Sequence, residues 1–295
     1  MIRSKDKRVF DIFAKLVLTL LALLCLTPFW FLVCASLSQN SEVMKYGFSF
    51  WPRSFTLEAY RLVFKVPGQI LGAYKVSIIV TATGTLLTTF LSSMTGYVFS
   101  RRDYPFRNAV SLYMYLPSLF GAGLVPYYIL CVKFLKFKQH PYLALIIGGI
   151  FGYFYAIIFR GFVTSNIPDS VTESAKIDGA NDFTIYLRLI VPMAKPVLAT
   201  IALFSALNYW NDWFTSLLFI TDEKYYPLQY YLYKAVNNMT AIKNTSAVLQ
   251  MPIRDLPSET FKYATTMVTI GPILLLYPFL QKYFIKGITI GAVKG

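Results

Sequence analysis

Long stretches without any charged side chain constrain this sequence more than any other feature. They are Leu16–Asn40, Val76–Ser100, Asn108–Val132, Pro141–Phe159 and Tyr263–Gln281. A bilayer core needs roughly 20 apolar residues per helix, so each stretch is able to span a membrane. A sixth stretch, Val197–Thr221, is interrupted only by Asp212. The sequence therefore predicts an all-α polytopic membrane protein in one domain over residues 1–295, with six transmembrane helices. We place them at about 13–37, 76–100, 109–132, 141–163, 197–220 and 263–284.

Composition supports a membrane protein and argues against a soluble one. Charged residues make up 14% of the chain and mean hydropathy is +0.52, whereas soluble domains average about 25% charged residues. The net charge of +14 is not read as a nucleic-acid site, because the basic residues lie in short segments between apolar runs. Lipid headgroups are the natural counter-ions there. We expect membrane lipid as a partner and no nucleic acid.

Catalytic and metal-binding chemistry finds little support. The three cysteines, Cys25, Cys34 and Cys131, lie in apolar runs, and His140 is the single histidine. No Cys/His pattern suits a transition metal, and no Gly-x4-Gly-Lys-Ser/Thr sequence exists to hold ATP phosphates. We predict a non-catalytic membrane subunit that carries no cofactor and no metal itself.

The distribution of Lys and Arg gives an orientation. The first apolar run is too long for a signal peptide, so it is read as a retained helix. With the basic N-terminus inside, 101–107 and 164–196 are cytoplasmic, and roughly half of the 28 Lys and Arg residues fall inside. Both termini are then cytoplasmic, and 222–262 is an extracytoplasmic loop. The outer segments are rich in Trp, Tyr and Pro, which suits an interfacial belt of aromatic residues or a sugar-facing surface.

One cytoplasmic segment, Ile167–Pro196, has the pattern of two short helices. Ser170 and Glu173 form the S-x-x-E pattern of a capping box, which predicts a helix start there. Gly179 tolerates a positive φ and allows that helix to end in a tight turn. This predicts a compact helix-turn-helix that docks on a cytoplasmic partner, with an interfacial helix lying on lipid as the alternative.

The second helix of this segment is predicted from its caps and its apolar spacing. Asn181 or Asp182 caps it, it runs through Leu189, and Pro192 stops it. Apolar residues at spacings of three and four give one apolar edge. They are Ile177, Ala180, Phe183 and Leu187.

The segment resembles the coupling loop of ABC importer permeases, whose pattern is E-A-A-x-x-x-G-x9-I-x-L-P. Glu173, Ala175, Gly179 and Pro192 match at the right spacing, while three other positions differ conservatively. Further matches follow at Asp178-Gly179-Ala180, at Tyr209-Trp210-Asn211-Asp212-Trp213 and at the ending Gly291-Ala292-Val293-Lys294-Gly295. The sequence is thereby similar to the MalG-like permease subunits of carbohydrate-uptake importers, in particular to LplC/YtcP-type sugar permeases.

The resemblance implies a type I importer fold in the bacterial cytoplasmic membrane and a set of partners. They are a homologous second permease (MalF-like), two ATPase subunits that hold ATP and Mg, and an extracytoplasmic solute-binding protein. The family's motif implies that the loop 164–196 couples to the ATPase. Its expected contact residues are Glu173, Ser174, Ala175, Asp178, Gly179 and Ala180.

A polar and aromatic group in the fifth predicted span is the candidate translocation path. Asp212 is the only acid within any predicted span, and such groups usually face a protein or water-lined interior. Aromatic faces stack on sugar rings while amides and carboxylates bond hydroxyls, although hydrogen bonding between helices explains the group equally well. Its members are Asn208, Tyr209, Trp210, Asn211 and Asp212. Pro and Gly residues in the third span suggest a kink or a gate there.

Three other functions are alternatives to a permease of a carbohydrate importer. A membrane enzyme needs paired catalytic groups, and the cytoplasmic acids Asp169, Glu173, Asp178 and Asp182 suit a solvated helical face better. A secondary transporter usually shows inverted repeats and several buried ion-coupling acids. An importer of a non-sugar solute shares the same loop, so the carbohydrate cargo rests on the resemblance alone.

Overall fold

The computed structural model describes residues 5–65, 67–248 and 259–272, and these residues are almost entirely helical. Helices account for every regular element there apart from one isolated bridge between Ser38 and Phe55. The predicted all-α architecture is confirmed. Contacts between Cα atoms divide the described residues into two compact units, residues 5–70 with 232–272 and residues 71–231.

The first unit contains a long apolar helix followed by short connecting helices. Its elements are α1 (Lys5–Ser36), α2 (Asn40–Tyr46), α3 (Glu58–Val63), α14 (Leu228–Val248) and α15 (259–272). The Asn40 Oδ1 accepts hydrogen bonds from the backbone N–H groups of Glu259 and Thr260, at 3.2 and 3.3 Å, and so caps the start of α15. Helix α14 occupies much of 222–262, a range that we predicted only as a loop.

The second unit begins with α4 and carries both segments singled out by the sequence. Its elements are α4 (Pro67–Ser100), α5 (Arg107–Leu119), α6 (Leu124–Ile129), α7 (Pro141–Ile147), α8 (Tyr153–Asn166), α9 (Asp169–Ile177), α10 (Asp182–Ile185), α11 (Val191–Met193), α12 (Lys195–Asn211) and α13 (Phe214–Phe219). A π-helical stretch extends α6 over Leu130–Phe134, and another joins α10 to α11 over Tyr186–Ile190.

Two helices of the described residues are long and apolar enough to cross a membrane by themselves, Val9–Ser36 within α1 and α4. Two bent pairs bring the number to four. Arg107–Leu119 and Leu124–Phe134 meet at 109°, and Asp182–Met193 and Lys195–Asn211 meet at 87°. The count of six spans therefore stays a prediction.

Three of the predicted spans are not continuous helices. The third breaks at 120–123, where Gly123 adopts a φ of 85°, whereas Pro117 lies inside α5 without breaking it. The fourth is interrupted between Ile147 and Tyr153, in a segment that contains three glycines. The fifth ends at Asn211. Most of the sixth, beyond residue 272, lies outside the described residues.

The core of the second unit gathers beneath the 164–196 segment. Buried side chains of α4, α8 and α12 join those of α9, α10 and the π-helical stretch in one apolar cluster. Helices α4 and α8 cross closely at Gly96, where a Cβ would lie 2.5 Å from the Ala156 carbonyl oxygen and 2.9 Å from the Phe159 Cβ. The segment is thus packed directly onto the helices.

Candidate docking site

The turn after α9 is a Schellman motif. Gly179 has a φ of 81°, as predicted, and its N–H bonds the Lys176 carbonyl at 3.0 Å. The Ala180 N–H bonds the Ala175 carbonyl at 2.9 Å, which completes the pair of hydrogen bonds that closes such a helix end. We call α9, this turn and α10 the knuckle (169–185).

The two helix starts of the knuckle differ in how well the sequence foretold them. The Asn181 Oδ1 accepts a hydrogen bond from the Thr184 N–H at 2.8 Å, so the predicted cap of α10 is confirmed. The predicted capping box is wrong. Helix α9 begins at Asp169 behind Pro168, so Ser170 lies within the first turn, and no side chain caps that end.

Pro192 does not stop the helical run either. The chain passes from α10 through the π-helical stretch into α11, which ends at Met193. Pro192 lies inside this helical run, directly after the π-helical stretch, and has no N–H to donate to the preceding turn. The break falls at Ala194, and the axis turns by 87° into α12.

The knuckle presents one buried and one exposed apolar face. Ala175, Ile185 and Tyr186 are buried in the core, and the Tyr186 hydroxyl bonds that of Ser93 at 2.7 Å. The predicted apolar edge lies on the other side. Ile177 is 87% exposed and Phe183 54% exposed, which is unusual for side chains of this size.

The exposed fractions divide the predicted contact residues into one buried residue and five surface or partly exposed ones. Ala175 is 9% exposed and packs in the core, so little of its side chain lies at the surface. The other predicted contact residues lie at the surface, Ala180 only partly: Glu173, Ser174, Asp178, Gly179 and Ala180.

A network of ion pairs, which we call the staple, joins the knuckle to the turn after α4. Arg101 donates from Nε to Asp103 Oδ1 at 2.8 Å and from Nη1 to the Tyr97 hydroxyl at 2.6 Å. Lys176 Nζ lies 2.6 Å from Asp103 Oδ2. Arg101 Nη1 also lies 3.2 Å from Asp182 Oδ1. The Asp103 carboxylate in the turn thus pairs with Lys176 of α9 and with Arg101 directly after α4.

The staple holds its members in their charged forms. Hydrogen bonds from Arg101, and then from Lys176, lower the pKa of Asp103 far below its ordinary value. The hydrogen bond to Asp103 in turn raises the pKa values of Arg101 and Lys176. A second ion pair, 3.3 Å between Arg102 Nε and Asp169 Oδ2, reaches the start of α9.

Sequence reasoning missed the staple, because it counted Arg101 and Arg102 only as cytoplasmic positive charge. The signal was the acid at position 103 directly after two arginines, which gives the arginine fork a local carboxylate. A cleft of about 440 Å³ lies between this turn and α9, and Glu173 is among its lining residues. Glu173 forms no ion pair with any residue that the structure describes.

Tyr209 of the candidate path connects α12 to neighbouring segments of the second unit. Its hydroxyl donates to the Ile146 carbonyl at 2.8 Å and lies 3.2 Å from Thr88 Oγ1. A Cβ on Gly84 would lie 2.5 Å from the Tyr209 ring, so α4 and α12 touch through this side chain. Tyr209 is 5% exposed, and its side chain joins α4 to α12.

The rest of that group divides between structure and surface. Trp210 is buried, and Asp212 Oδ1 accepts from the Thr215 N–H at 3.0 Å to start the next helix. Asn208 and Asn211 are exposed and line a shallow cavity of about 440 Å³. Its other lining residues are Phe154, Tyr155, Phe204 and Leu207. The geometry separates two amides from the three residues with which we had grouped them.

Comparison with known proteins places the chain. Residues 88–290 match the family described as binding-protein-dependent transport system inner membrane component. The chain is 37% identical over 288 residues to the polygalacturonan/rhamnogalacturonan transport system permease protein YtcP of Bacillus subtilis, covering 98% of this chain and 99% of that one. It is 35% identical over 294 residues to the protein LplC of the same species, covering 99% and 97%.

A solved structure agrees over nearly the whole chain. A bacterial ABC transporter involved in the import of the acidic polysaccharide alginate superposes with a TM-score of 0.80 at 27% identity, covering 96% of this chain and 99% of that chain. The class is therefore an ABC importer permease, a non-catalytic membrane subunit that works with an ATPase, a binding protein and another permease. This chain belongs to the family of binding-protein-dependent transport system inner membrane components, and the predicted resemblance is confirmed.

Proposed function

We propose that this chain carries a carbohydrate, in the range of oligosaccharides and related glycans, through the bacterial cytoplasmic membrane. Two similar proteins support the proposal. One is named as a permease of a polygalacturonan/rhamnogalacturonan transport system, and the other belongs to an ABC transporter involved in alginate import. In the assembly it pairs with a homologous second permease and two ATPase subunits. An extracytoplasmic solute-binding protein delivers the cargo to the outer side.

The knuckle is proposed as the surface on which an ATPase subunit docks. Its exposed apolar residues, Ile177 and Phe183, offer an anchor for a hydrophobic cleft, and Glu173 offers a charge without an ion pair in the described residues. The staple and the buried core face hold the knuckle to α4, α8 and α12. A movement of the ATPase therefore reaches the membrane helices as a rigid-body shift.

The topology that goes with this proposal has six spans, the type I importer arrangement and both termini in the cytoplasm. The loop 164–196 is then cytosolic, and Asn208 and Asn211 line the path of the cargo with the aromatic side chains of their cavity. Aromatic faces and amides suit sugar rings and hydroxyls respectively.

Co-purification with the ATPase tests the docking surface. Glu173→Lys is expected to release the ATPase from detergent-purified complexes, because it reverses the charge at the proposed interface. Glu58→Lys, an equally exposed glutamate in the first turn of α3, is the matched control. If the two variants retain the same amount of ATPase, the docking assignment is wrong. Labelling of a cysteine at Ile177 from the cytosolic side only tests the orientation independently.

A further inference from the structure

The chain between α2 and α3 folds into a tight strap, residues 47–56, against the end of α1. The Trp30 Nε1 donates to the Phe50 carbonyl at 2.8 Å, and the Phe31 and Phe50 rings pack edge to face at 4.9 Å. Further on, the Thr56 N–H donates to the Leu37 carbonyl at 2.9 Å and Arg53 N–H to Ser38 Oγ at 3.0 Å. The backbone of the strap is therefore fixed on the helix.

This fixed strap presents an unusual surface. Its large apolar side chains stay more than half exposed although three of them contact rings of α1, and the neighbouring Tyr46 is exposed as well. The exposed fractions are Trp51 74%, Phe55 67%, Phe50 63%, Phe48 53% and Tyr46 52%. A soluble surface of this kind would invite aggregation, so a partner covers it in the cell.

Two cations accompany these rings. Arg53 Cζ lies 4.7 Å and Lys45 Nζ 5.0 Å from the centroid of the Tyr46 ring. Both side chains are exposed, and neither forms an ion pair with a carboxylate in the part of the chain that the structure describes. Each of these cations is therefore exposed beside the aromatic surface, where it is suited to bind an anionic phosphate.

The position of the strap along α1 identifies what it meets. The apolar window Val9–Ser36 has 28 residues and is about 42 Å long at 1.5 Å per residue. It exceeds the hydrocarbon core of about 30 Å by about 6 Å on each side. Trp30 lies about 9 Å before the helix end, so the strap reaches back to the boundary between hydrocarbon and headgroups.

We propose that the strap is a lipid anchor, in which Phe48, Phe50 and Trp51 enter the interface while Lys45 and Arg53 bind the phosphate of an anionic headgroup. Aromatic side chains favour this depth because one end of the interface is apolar and the other wet. The anchor fixes the tilt and depth of α1 independently of the cargo. The lipid-anchor proposal depends on the membrane location of this family and does not depend on the proposed docking surface.

Photo-crosslinking in the complete reconstituted transporter tests the occupant of this surface. Trp51→p-benzoylphenylalanine, in nanodiscs of phosphatidylcholine with phosphatidylglycerol and with binding protein present, is expected to form lipid adducts enriched in phosphatidylglycerol. Adducts with the binding protein or the second permease in place of lipid overturn the proposal, as does the absence of lipid adducts. The same label at Ile177 reports ATPase docking, so failure of the proposed function is seen separately.

The charge pair has its own variants. Lys45→Gln and Arg53→Gln are each expected to lower the phosphatidylglycerol enrichment about fivefold, since one basic residue near an anionic surface contributes about that factor. Lys138→Gln, an exposed lysine of another outer segment, is the control and leaves the enrichment unchanged. Equal enrichment in all three variants would remove the phosphate site from the proposal.

Discussion

Replacing Asp103 by asparagine tests whether the staple makes the knuckle part of the membrane helices. The substitution keeps the shape of the side chain but removes the charge that Arg101 and Lys176 share. The Arg101 side chain is only 12% exposed, so it loses its main counter-ion where water replaces it poorly. Asp182, at 3.2 Å, remains as a weaker partner.

The size of the effect follows from the exposure of each pair. Asp103 is 53% exposed and Lys176 41%, so their ion pair contributes little once solvent screening is included. The hydrogen bonds from Arg101 are charge-assisted and contribute most. Such bonds contribute about 1.5–3 kcal/mol each before screening, and we expect about 1–3 kcal/mol for the whole substitution. This corresponds to a roughly 5–150-fold increase in the opened population of the knuckle.

Hydrogen exchange and ATPase measurements give the readout. In Asp103→Asn the amides of 169–185 are expected to exchange faster while those of α12 do not, and binding-protein stimulation of the ATPase falls in the reconstituted complex. Asp222→Asn breaks an ion pair of 2.9 Å with Lys224 outside the knuckle, in which the side chains are 47% and 65% exposed, and is the matched control without effect on 169–185. Unchanged exchange in 169–185 together with normal stimulation would refute the role of the staple.

Further predictions concern the same unit. The folded pKa of Asp103 lies below its unfolded value of about 3.9, so its contribution is complete above that value and disappears only as pH falls towards the folded one. The difference in melting temperature between wild type and Asp103→Asn should thus stay constant from about pH 5 to 9, and a decline by pH 6 contradicts the ion pairing. Gly179→Ala forces a φ of 81° on alanine and should destabilise the knuckle by about 1 kcal/mol, measured by exchange at 169–185. Gly72→Ala, where a Cβ meets no atom within 4 Å, is a control that gains helix propensity. Tyr209→Phe leaves the Ile146 carbonyl without its 2.8 Å donor and should lower the unfolding free energy by about 1–2 kcal/mol, while unchanged thermal stability would show that this bond is not needed.

The residues of the candidate path show what a sequence does not determine, namely which polar side chains of one helix are buried and which are exposed. Tyr209 and Asp212 were grouped with Asn208 and Asn211 because they are polar residues in one apolar run. A linear sequence does not say which side of α12 meets α4, and the contact of Tyr209 with Gly84 depends on residues far apart in the chain. Only the packed helices separate the buried side chains of Tyr209 and Trp210 from the exposed amides of Asn208 and Asn211. The same holds for Ala175, which a motif presents as a contact and the core holds inside.

The sequence by itself determined the apolar helices and the turn of the knuckle, because both follow from interactions within a short segment. Charge-free runs require apolar helices, because only a helix satisfies its backbone within one segment in lipid. Gly179 and Asn181 specify the turn of the knuckle through steric freedom and a short side-chain oxygen, which need no distant partner. The tertiary structure decided the breaks at 120–123 and at Ala194, the staple between Asp103 and Lys176, and the strap on Trp30. The contact of Asp103 with Lys176 and that of Trp30 with the strap join segments that are distant in sequence, so no local pattern determines them.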